Sequence, residues 1–245
     1  MNSTRLFKPS VILFDVNETL LDMSPLRKQV NKLLKSKRGF KLWFTMLLQY
    51  SLVDNCTNQY NNFSAIGEAT LYMAAKSLKQ SLSVHAIRGA LSTLKQLPAH
   101  DDVKEALDLL KDAGVRLATL SNSPMETSKG QLEYAGLTGY FESILSVDSI
   151  KKYKPALEAY RYAAQVLKVN TDEMLMVAAH GWDITGASHA GLHTCFIERK
   201  GQSLYPLAPK PSITGSTLIT AARKIIKRIK FPAETFILTT VKNNC

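Results

Sequence analysis

Carboxylate, hydroxyl, ammonium and imidazole side chains follow four apolar segments that the sequence predicts to be strands. Asp15 comes directly after the first segment, and Thr19 places a hydroxyl four residues later. The polar residues after the other three segments are Ser121, Asn122, Lys154, His180 and Asp183. A lone Asp at a strand end is often a turn residue. Four polar strand ends at one edge of a parallel sheet would instead converge on a single crevice, where acid, base and charge-stabilising chemistry is possible.

The apolar segments alternate with segments of helical periodicity. Predicted strands cover residues 11–14, 115–120, 143–147, 174–178 and 194–197. Predicted helices cover residues 101–113, 125–135, 156–167 and 184–190, and three of them end at a glycine, which is a common helix stop signal. This alternation predicts an α/β fold with a parallel sheet covered by helices on both faces.

One long region interrupts the alternation. Residues 25–98 contain helical patterns and no convincing strand pattern, with predicted helices over residues 26–34, 42–52, 66–78 and 84–97. An inserted helical cap explains this region. The sequence therefore predicts two domains, an α/β core formed by residues 1–22 and 99–245 and a helical cap formed by residues 23–98.

Composition and charge exclude several classes of protein. Hydrophobic residues make up 45% of the 245 residues, which favours a globular chain, and no apolar run approaches the roughly 20 residues that a bilayer helix needs. The net charge is +11, with basic stretches over residues 32–41 and 223–230. Neither stretch matches a nucleic-acid module, so we interpret them as solvated helix faces and expect no nucleic-acid partner.

The cysteines and the N-terminal residues bear on the cellular compartment. Cys56, Cys195 and Cys245 are too few and too scattered for a disulfide framework or a zinc site. Residues 1–9 contain no apolar stretch of signal-peptide length. We therefore expect reduced thiols and a cytoplasmic location.

Several motifs together resemble one family of hydrolases. They are FDVNETLLD at 14–22, LWFTMLLQYSLVDNCTNQYNNF at 42–63, LSNSP at 120–124, YKPALEAY at 153–160 and AAHGWDITGA at 178–187. In order and spacing they resemble the haloacid dehalogenase superfamily, and within it the L-2-haloacid dehalogenase (type II) branch. The resemblance implies a Rossmann-like parallel sheet with a helical cap. It also implies hydrolysis of short L-2-haloalkanoic acids, no metal or other cofactor, and a homodimer.

The resemblance also implies roles for the residues near the first two strands. Asp15 would be the nucleophile that displaces halide from the second carbon of the substrate and forms an ester, which water then cleaves. Thr19, Ser121 and Asn122 match positions that orient the nucleophile or hold the substrate carboxylate.

Lys154 would supply a positive charge beside Asp15, with Asp183 positioning it and Tyr160 hydrogen-bonding nearby. A buried lysine without partners is costly, so a cluster of Lys154 with two carboxylates is physically reasonable. The alternative is an ordinary surface lysine before a proline.

A phosphatase of the same superfamily is a further alternative. Such enzymes resemble one another in an acid two residues after the nucleophile, where this chain has Asn17, whose amide does not transfer protons as a carboxyl group does. They also hold magnesium through acidic residues near the fourth strand, where Ala179 leaves only Asp183. Phosphoryl transfer is therefore disfavoured.

The chain departs from the dehalogenase pattern at the position that follows the LW pair. An arginine there usually helps take up the leaving halide, but this chain has Phe44. An aromatic edge, the Asn122 amide or another basic residue such as Arg38 could substitute. The same departure leaves open a different leaving group or a relative without catalytic activity.

A second departure is the pair His180 and Glu18, where the family more often has Asn and Gly. A histidine oriented by a carboxylate is a common general base near neutral pH. Our hypothesis is that His180, oriented by Glu18, activates the water that hydrolyses the ester. A structural hydrogen-bonding role is the alternative.

Aromatic side chains could line an apolar substrate pocket that excludes water. The candidates are Trp43, Tyr60, Phe63 and Trp182. The resemblance places Trp43 and Phe63 on the side of the cap that faces the site, whereas Tyr60 is expected to pack in the core.

Overall fold

A six-stranded sheet lies at the centre of the computed structural model, which describes residues 8–230. Its strands are β1 (Val11–Phe14), β2 (Arg116–Ser121), β3 (Ser143–Ser146), β4 (Met174–Ala178), β5 (His193–Ile197) and β6 (Ile213–Gly215). The spatial order is β3-β2-β1-β4-β5-β6, and every neighbouring pair is parallel. Phe14 pairs with Thr119 on one side and Val177 on the other. The three central strands therefore end within two residues of one another.

The predicted α/β fold is confirmed. All four residues of β1 are buried, as expected for a parallel strand covered on both faces. The predicted strands are present with ends shifted by one residue at most. The strand β6 was not predicted, because three residues are too few to show a periodic pattern.

Nine α-helices occur within residues 8–230. In chain order they are α1 (Ser24–Leu33), α2 (Gly39–Thr57), α3 (Phe63–Ser77), α4 (Val84–Leu91), α5 (Val103–Asp112), α6 (Met125–Tyr134), α7 (Leu157–Leu167), α8 (Gly181–His189) and α9 (Leu218–Lys230). The helix predicted over 84–97 is α4 followed by a separate 3-10 turn, Ser92–Gln96. Gly136 and Gly191, with φ of 66° and 91°, follow α6 and α8 and end them as predicted.

The four helices α1 to α4 form an insertion between β1 and β2. The two chain segments that lead into and out of the insertion are paired through their backbones. The Asp22 amide donates to the Pro98 carbonyl at 2.8 Å, and the His100 amide donates to the Leu20 carbonyl at 2.9 Å. Within the insertion, Trp43 is fully buried and its indole N–H donates to the Gly67 carbonyl at 2.9 Å, which joins α2 to α3.

No helix within residues 8–230 is both long and apolar enough to cross a bilayer. Cys56 and Cys195 carry free thiols, whereas Cys245 lies outside the described residues.

Candidate active site

Both carboxylate oxygens of Asp15 are held by buried side chains. Lys154 Nζ donates to Oδ1 at 2.9 Å, and the Thr19 hydroxyl donates to Oδ2 at 2.7 Å. The Thr19 oxygen in turn accepts from the Ala179 amide at 3.0 Å. Burial alone would raise the pKa of Asp15, but the charge of Lys154 and the contacts with His180 outweigh it and lower the pKa. Asp15 is therefore an ionised carboxylate, fixed in direction at the end of β1.

Lys154 joins two carboxylates at the bottom of the site. Its ammonium, which is fully buried, donates to Asp15 and also to Asp183 Oδ2 at 2.6 Å. The Tyr160 hydroxyl donates to Asp183 Oδ1 at 2.6 Å. Burial lowers the pKa of Lys154, yet the charges of the two aspartates outweigh this and raise it. The lysine thus stays cationic, and the geometry matches the predicted cluster rather than a surface lysine.

His180 lies between two carboxylates. Its Nδ1 is 3.0 Å from Asp15 Oδ2, and its Nε2 is 3.0 Å from Glu18 Oε2. Burial lowers the pKa of His180, but hydrogen bonds to Asp15 and Glu18 and their charges raise it to about 9. At neutral pH the ring is therefore an imidazolium that donates to both carboxylates.

Glu18 occupies a conformation that rarely suits its residue type. Its φ is 60°, in the left-handed region that favours glycine. Such a conformation costs a residue with a Cβ about 1–2 kcal/mol, and conformational strain of this kind is common at functional sites. The Glu18 side chain accepts from Arg27 at 3.0 Å and from Gln202 at 2.9 Å, in addition to its contact with His180.

Two predicted substrate-binding residues contact the protein backbone. Ser121 Oγ accepts from the Ser123 amide at 3.0 Å. Asn122 Oδ1 accepts from the Lys154 amide at 2.9 Å, and its Nδ2 donates to the Lys154 carbonyl at 3.3 Å. Asn122 therefore holds the backbone of Lys154.

Two cavities lie near this cluster, and neither is lined by Asp15 or Lys154. The first, of about 240 Å³, lies between the insertion and the sheet and is mostly apolar; its lining includes Asn17, Trp43, Phe44, Leu47, Phe63 and Ser123. The second is a groove of about 780 Å³ with a mixed polar and apolar lining, which includes Glu18, Arg27, Phe44, His180, Trp182 and Gln202. Phe44 lines both. Asn17 bridges Ser123 and Gln131 through its amide, at 3.2 and 3.1 Å.

The predicted aromatic residues divide between lining and packing. Trp43 and Phe63 line the apolar cavity, and Trp182 lines the groove. Tyr60 lines neither cavity; its ring stacks on Tyr153 and its hydroxyl donates to Asp148. Arg38, considered above as a substitute cation, is exposed and also lines neither cavity.

Three residues around the site were not predicted. Arg27 and Gln202 hold Glu18, and Asn55 contacts the backbone of Tyr153 next to Lys154. No local pattern marks them in the sequence. Within residues 8–230, no group of three or more His, Cys, Asp or Glu side chains is arranged to hold a metal ion.

The sheet, the helical insertion and the aspartate at the end of β1 define a class of hydrolase. The family model for haloacid dehalogenase-like hydrolases matches residues 9–191. The chain belongs to this family.

Similar proteins within the family include two curated (S)-2-haloacid dehalogenases. One is (S)-2-haloacid dehalogenase 4A from Burkholderia cepacia. It is 32% identical over 200 residues, which are 80% of this chain and 87% of the relative. The other, from Pseudomonas sp. (strain YL), is 29% identical over 202 residues, which are 82% and 87% of the two chains. A dehalogenase solved with an intermediate complex has a TM-score of 0.79 and 30% identity, over 86% of this chain and 95% of that one.

Proposed function

We propose that the protein is an (S)-2-haloacid dehalogenase that converts short L-2-haloalkanoic acids to 2-hydroxy acids through an ester on Asp15. The observation that carries the proposal is the ionised Asp15 carboxylate, held by Thr19 and Lys154 at the end of β1. Curated (S)-2-haloacid dehalogenases at about 30% identity support the substrate class. Measurement of halide released from L-2-chloropropionate tests it.

In the first step, an Asp15 oxygen attacks the second carbon of the substrate and the carbon–halogen bond breaks. Halide leaves with the bonding electrons, and the configuration at that carbon inverts. Lys154 keeps Asp15 ionised and places a positive charge beside the anionic substrate. Asn17 and Ser123, which follow the ends of β1 and β2, line the apolar cavity, and we propose that this lining excludes water from the displacement.

In the second step, water attacks the Asp15 carbonyl carbon, and the bond between this carbon and the substrate oxygen breaks. We assign the general base to His180. Formation of the ester removes the charge of Asp15, one of the groups that raise the pKa of His180. The pKa of His180 then falls, and the ring releases its Nδ1 proton to solvent water. The Nε2 proton stays on the ring and is donated to Glu18, so the Nδ1 lone pair faces the ester. Nδ1 takes a proton from the attacking water, and the imidazolium returns a proton to the departing oxygen of the 2-hydroxy acid.

The resting charge of His180 predicts a basic limb in the pH profile. His180 is cationic below its pKa of about 9 and neutral above it, and kcat/KM reports groups of the free enzyme. Since the substrate is an anion, we expect kcat/KM to fall as pH rises through about 9. The limb should be absent in His180→Asn. A wild-type profile that stays flat through this range contradicts a cationic His180 in the free enzyme.

Trp182, which lines the groove together with Phe44, carries a candidate donor for the halide in a chain that has Phe44 in place of the family arginine. The indole Nε1 of Trp182 is buried and has no hydrogen-bond partner among residues 8–230. The Trp182 ring stacks on His180, with centroids 5.0 Å apart, and Lys154 Nζ lies 5.7 Å from its centroid. We assign this N–H to the departing halide.

Replacing Trp182 with Phe keeps the aromatic ring and removes the N–H. A hydrogen bond to a charged group is worth about 1.5–3 kcal/mol, so we expect first-turnover chloride release to slow about 10- to 100-fold. Bromide is a better leaving group and should be affected less. Rapid-mix halide assays on the chloro and bromo substrates give the comparison, and equal rates for the variant and the wild type would rule out this donor.

A phosphatase is the second candidate, and the contacts of Asn17 count against it. The amide lies at the position of the phosphatase general acid and bridges Ser123 and Gln131. We propose in addition that residues 23–98 act as a cap domain on a core formed by residues 1–22 and 99–245. The homodimer and the cytoplasmic location remain predictions from the sequence.

A further inference from the structure

The loop between β3 and α7 carries Lys154, and the helical insertion contacts this loop just before the lysine. The ring of Tyr153 stacks on Tyr60 and packs at a tilt against Phe63, both from the insertion, with centroid distances of 5.2 and 5.6 Å. Lys152 Nζ donates to Asn58 Oδ1 at 2.7 Å. The segment that presents the catalytic lysine is thus attached to the insertion as well as to the sheet.

Asn55, near the end of α2, makes the most specific of these contacts. Its Oδ1 accepts from the Tyr153 amide at 2.9 Å, and its Nδ2 donates to the Tyr153 carbonyl at 2.8 Å. Asn122, at the end of β2, holds the backbone of Lys154 in the same way. Tyr153 and Lys154 are consecutive, and each has both of its backbone polar groups bound by one asparagine side chain. Asn55 of the insertion binds Tyr153, and Asn122 of the core binds Lys154.

We propose that Asn55 is a positioning residue that couples docking of the helical insertion to the placement of the Lys154 ammonium beside Asp15. This inference rests on the proposed function, because it concerns the residues assigned to the first step. An amide is suited to the task, since it can donate and accept from one planar group. The ammonium contacts Asp15 and Asp183 at 2.9 and 2.6 Å, so a small shift of its backbone would break the alignment.

Asn55→Ala removes both backbone contacts, and Asn55→Asp keeps the acceptor and removes the donor. We expect first-turnover halide release to slow about 10- to 100-fold in Asn55→Ala, the cost of a misplacement of about 1 Å, and by an intermediate amount in Asn55→Asp. Gln49→Ala is the control, because it removes an exposed side-chain amide from the same helix α2, away from the loop that carries Lys154. It should behave as the wild type.

The acid limb of kcat/KM separates positioning from general support of the fold. The groups that face Asp15 are Lys154 from the loop and His180 from the end of β4, with Asp183 and Glu18 behind them. A displaced Lys154 no longer favours the ionised form of Asp15, so the acid limb should move to higher pH in both Asn55 variants. A change in folding stability alone would not move it.

The outcomes divide clearly. Slower first turnover with a shifted acid limb in the Asn55 variants, and unchanged rates in Gln49→Ala, supports the inference. A rate within about twofold of wild type, or a lower melting temperature with an unshifted limb, overturns it. If Asn55→Ala does not fold, Asn55→Asp decides by the same criteria. If the wild type releases no halide, the proposed function fails, and the inference fails with it.

Discussion

Replacing Asp15 with Asn is expected to abolish halide release from L-2-chloropropionate. The amide is a far weaker nucleophile than the carboxylate, and the substitution also removes a charge that faces Lys154 and His180. Loss of a nucleophile costs many orders of magnitude, so we expect a drop of at least about 10³-fold. The assay measures free halide from the L- and D-isomers and from chloroacetate, each with and without EDTA.

The control and the alternatives are defined in the same assay. Asp101→Asn makes the same chemical change at an exposed position and should leave activity unchanged. Release from the L-isomer that survives EDTA and disappears in Asp15→Asn supports the proposal. Full activity in Asp15→Asn contradicts it. If no substrate releases halide, a phosphate-ester screen with magnesium tests the phosphatase, and a negative screen favours a relative without catalytic activity or one with another leaving group.

The ester can be detected by the fate of the water oxygen. In a single turnover in H₂¹⁸O, the product oxygen comes from Asp15, and the label enters the Asp15 carboxylate. Mass spectrometry of the peptide that contains Asp15 should therefore show added ¹⁸O. Label found only in the 2-hydroxy acid after a single turnover would contradict the ester and indicate direct attack by water.

Replacing His180 with Asn is expected to separate the two steps of the reaction. The variant keeps a polar side chain but has no proton acceptor of suitable pKa, so the ester should form and then persist. We expect a burst of about one halide per active site, followed by a steady state about 10²- to 10⁴-fold slower than wild type, the usual contribution of a general base. Rapid-quench measurement of halide gives both phases.

Two further variants show whether the effect is specific to the base. Glu18→Gln keeps the length of the side chain and removes the charge that orients His180, so its steady state should also fall while its burst remains. His189→Asn makes the same replacement as His180→Asn at an exposed position on α8 and should be silent. Equal losses in the burst and the steady state of His180→Asn would rule out the base and favour a structural role.

Much of the fold and the central cluster could be predicted from the sequence, because both depend on short-range patterns. Parallel strands that are buried on both faces have continuous apolar sequences, and the residue after each such run lies at the carboxyl edge of the sheet. That rule led us to expect Asp15, Lys154, His180 and Asp183 at one crevice, and the family resemblance implied the pairing of Lys154 with the two aspartates. The strand β6 was not predicted, because three residues are too few to show a period.

The tertiary structure alone decided how the cluster is supported. Asn55 contacts Tyr153 across 98 positions, and Gln202 reaches Glu18 across 184. Contacts this distant depend on how the insertion and the loops fold back on the sheet, and no local periodicity encodes them. For the same reason, the sequence marked Phe44 only as a missing arginine. The structure shows this residue lining both cavities beside His180, because side chains from separate elements enclose a cavity only after the chain has folded.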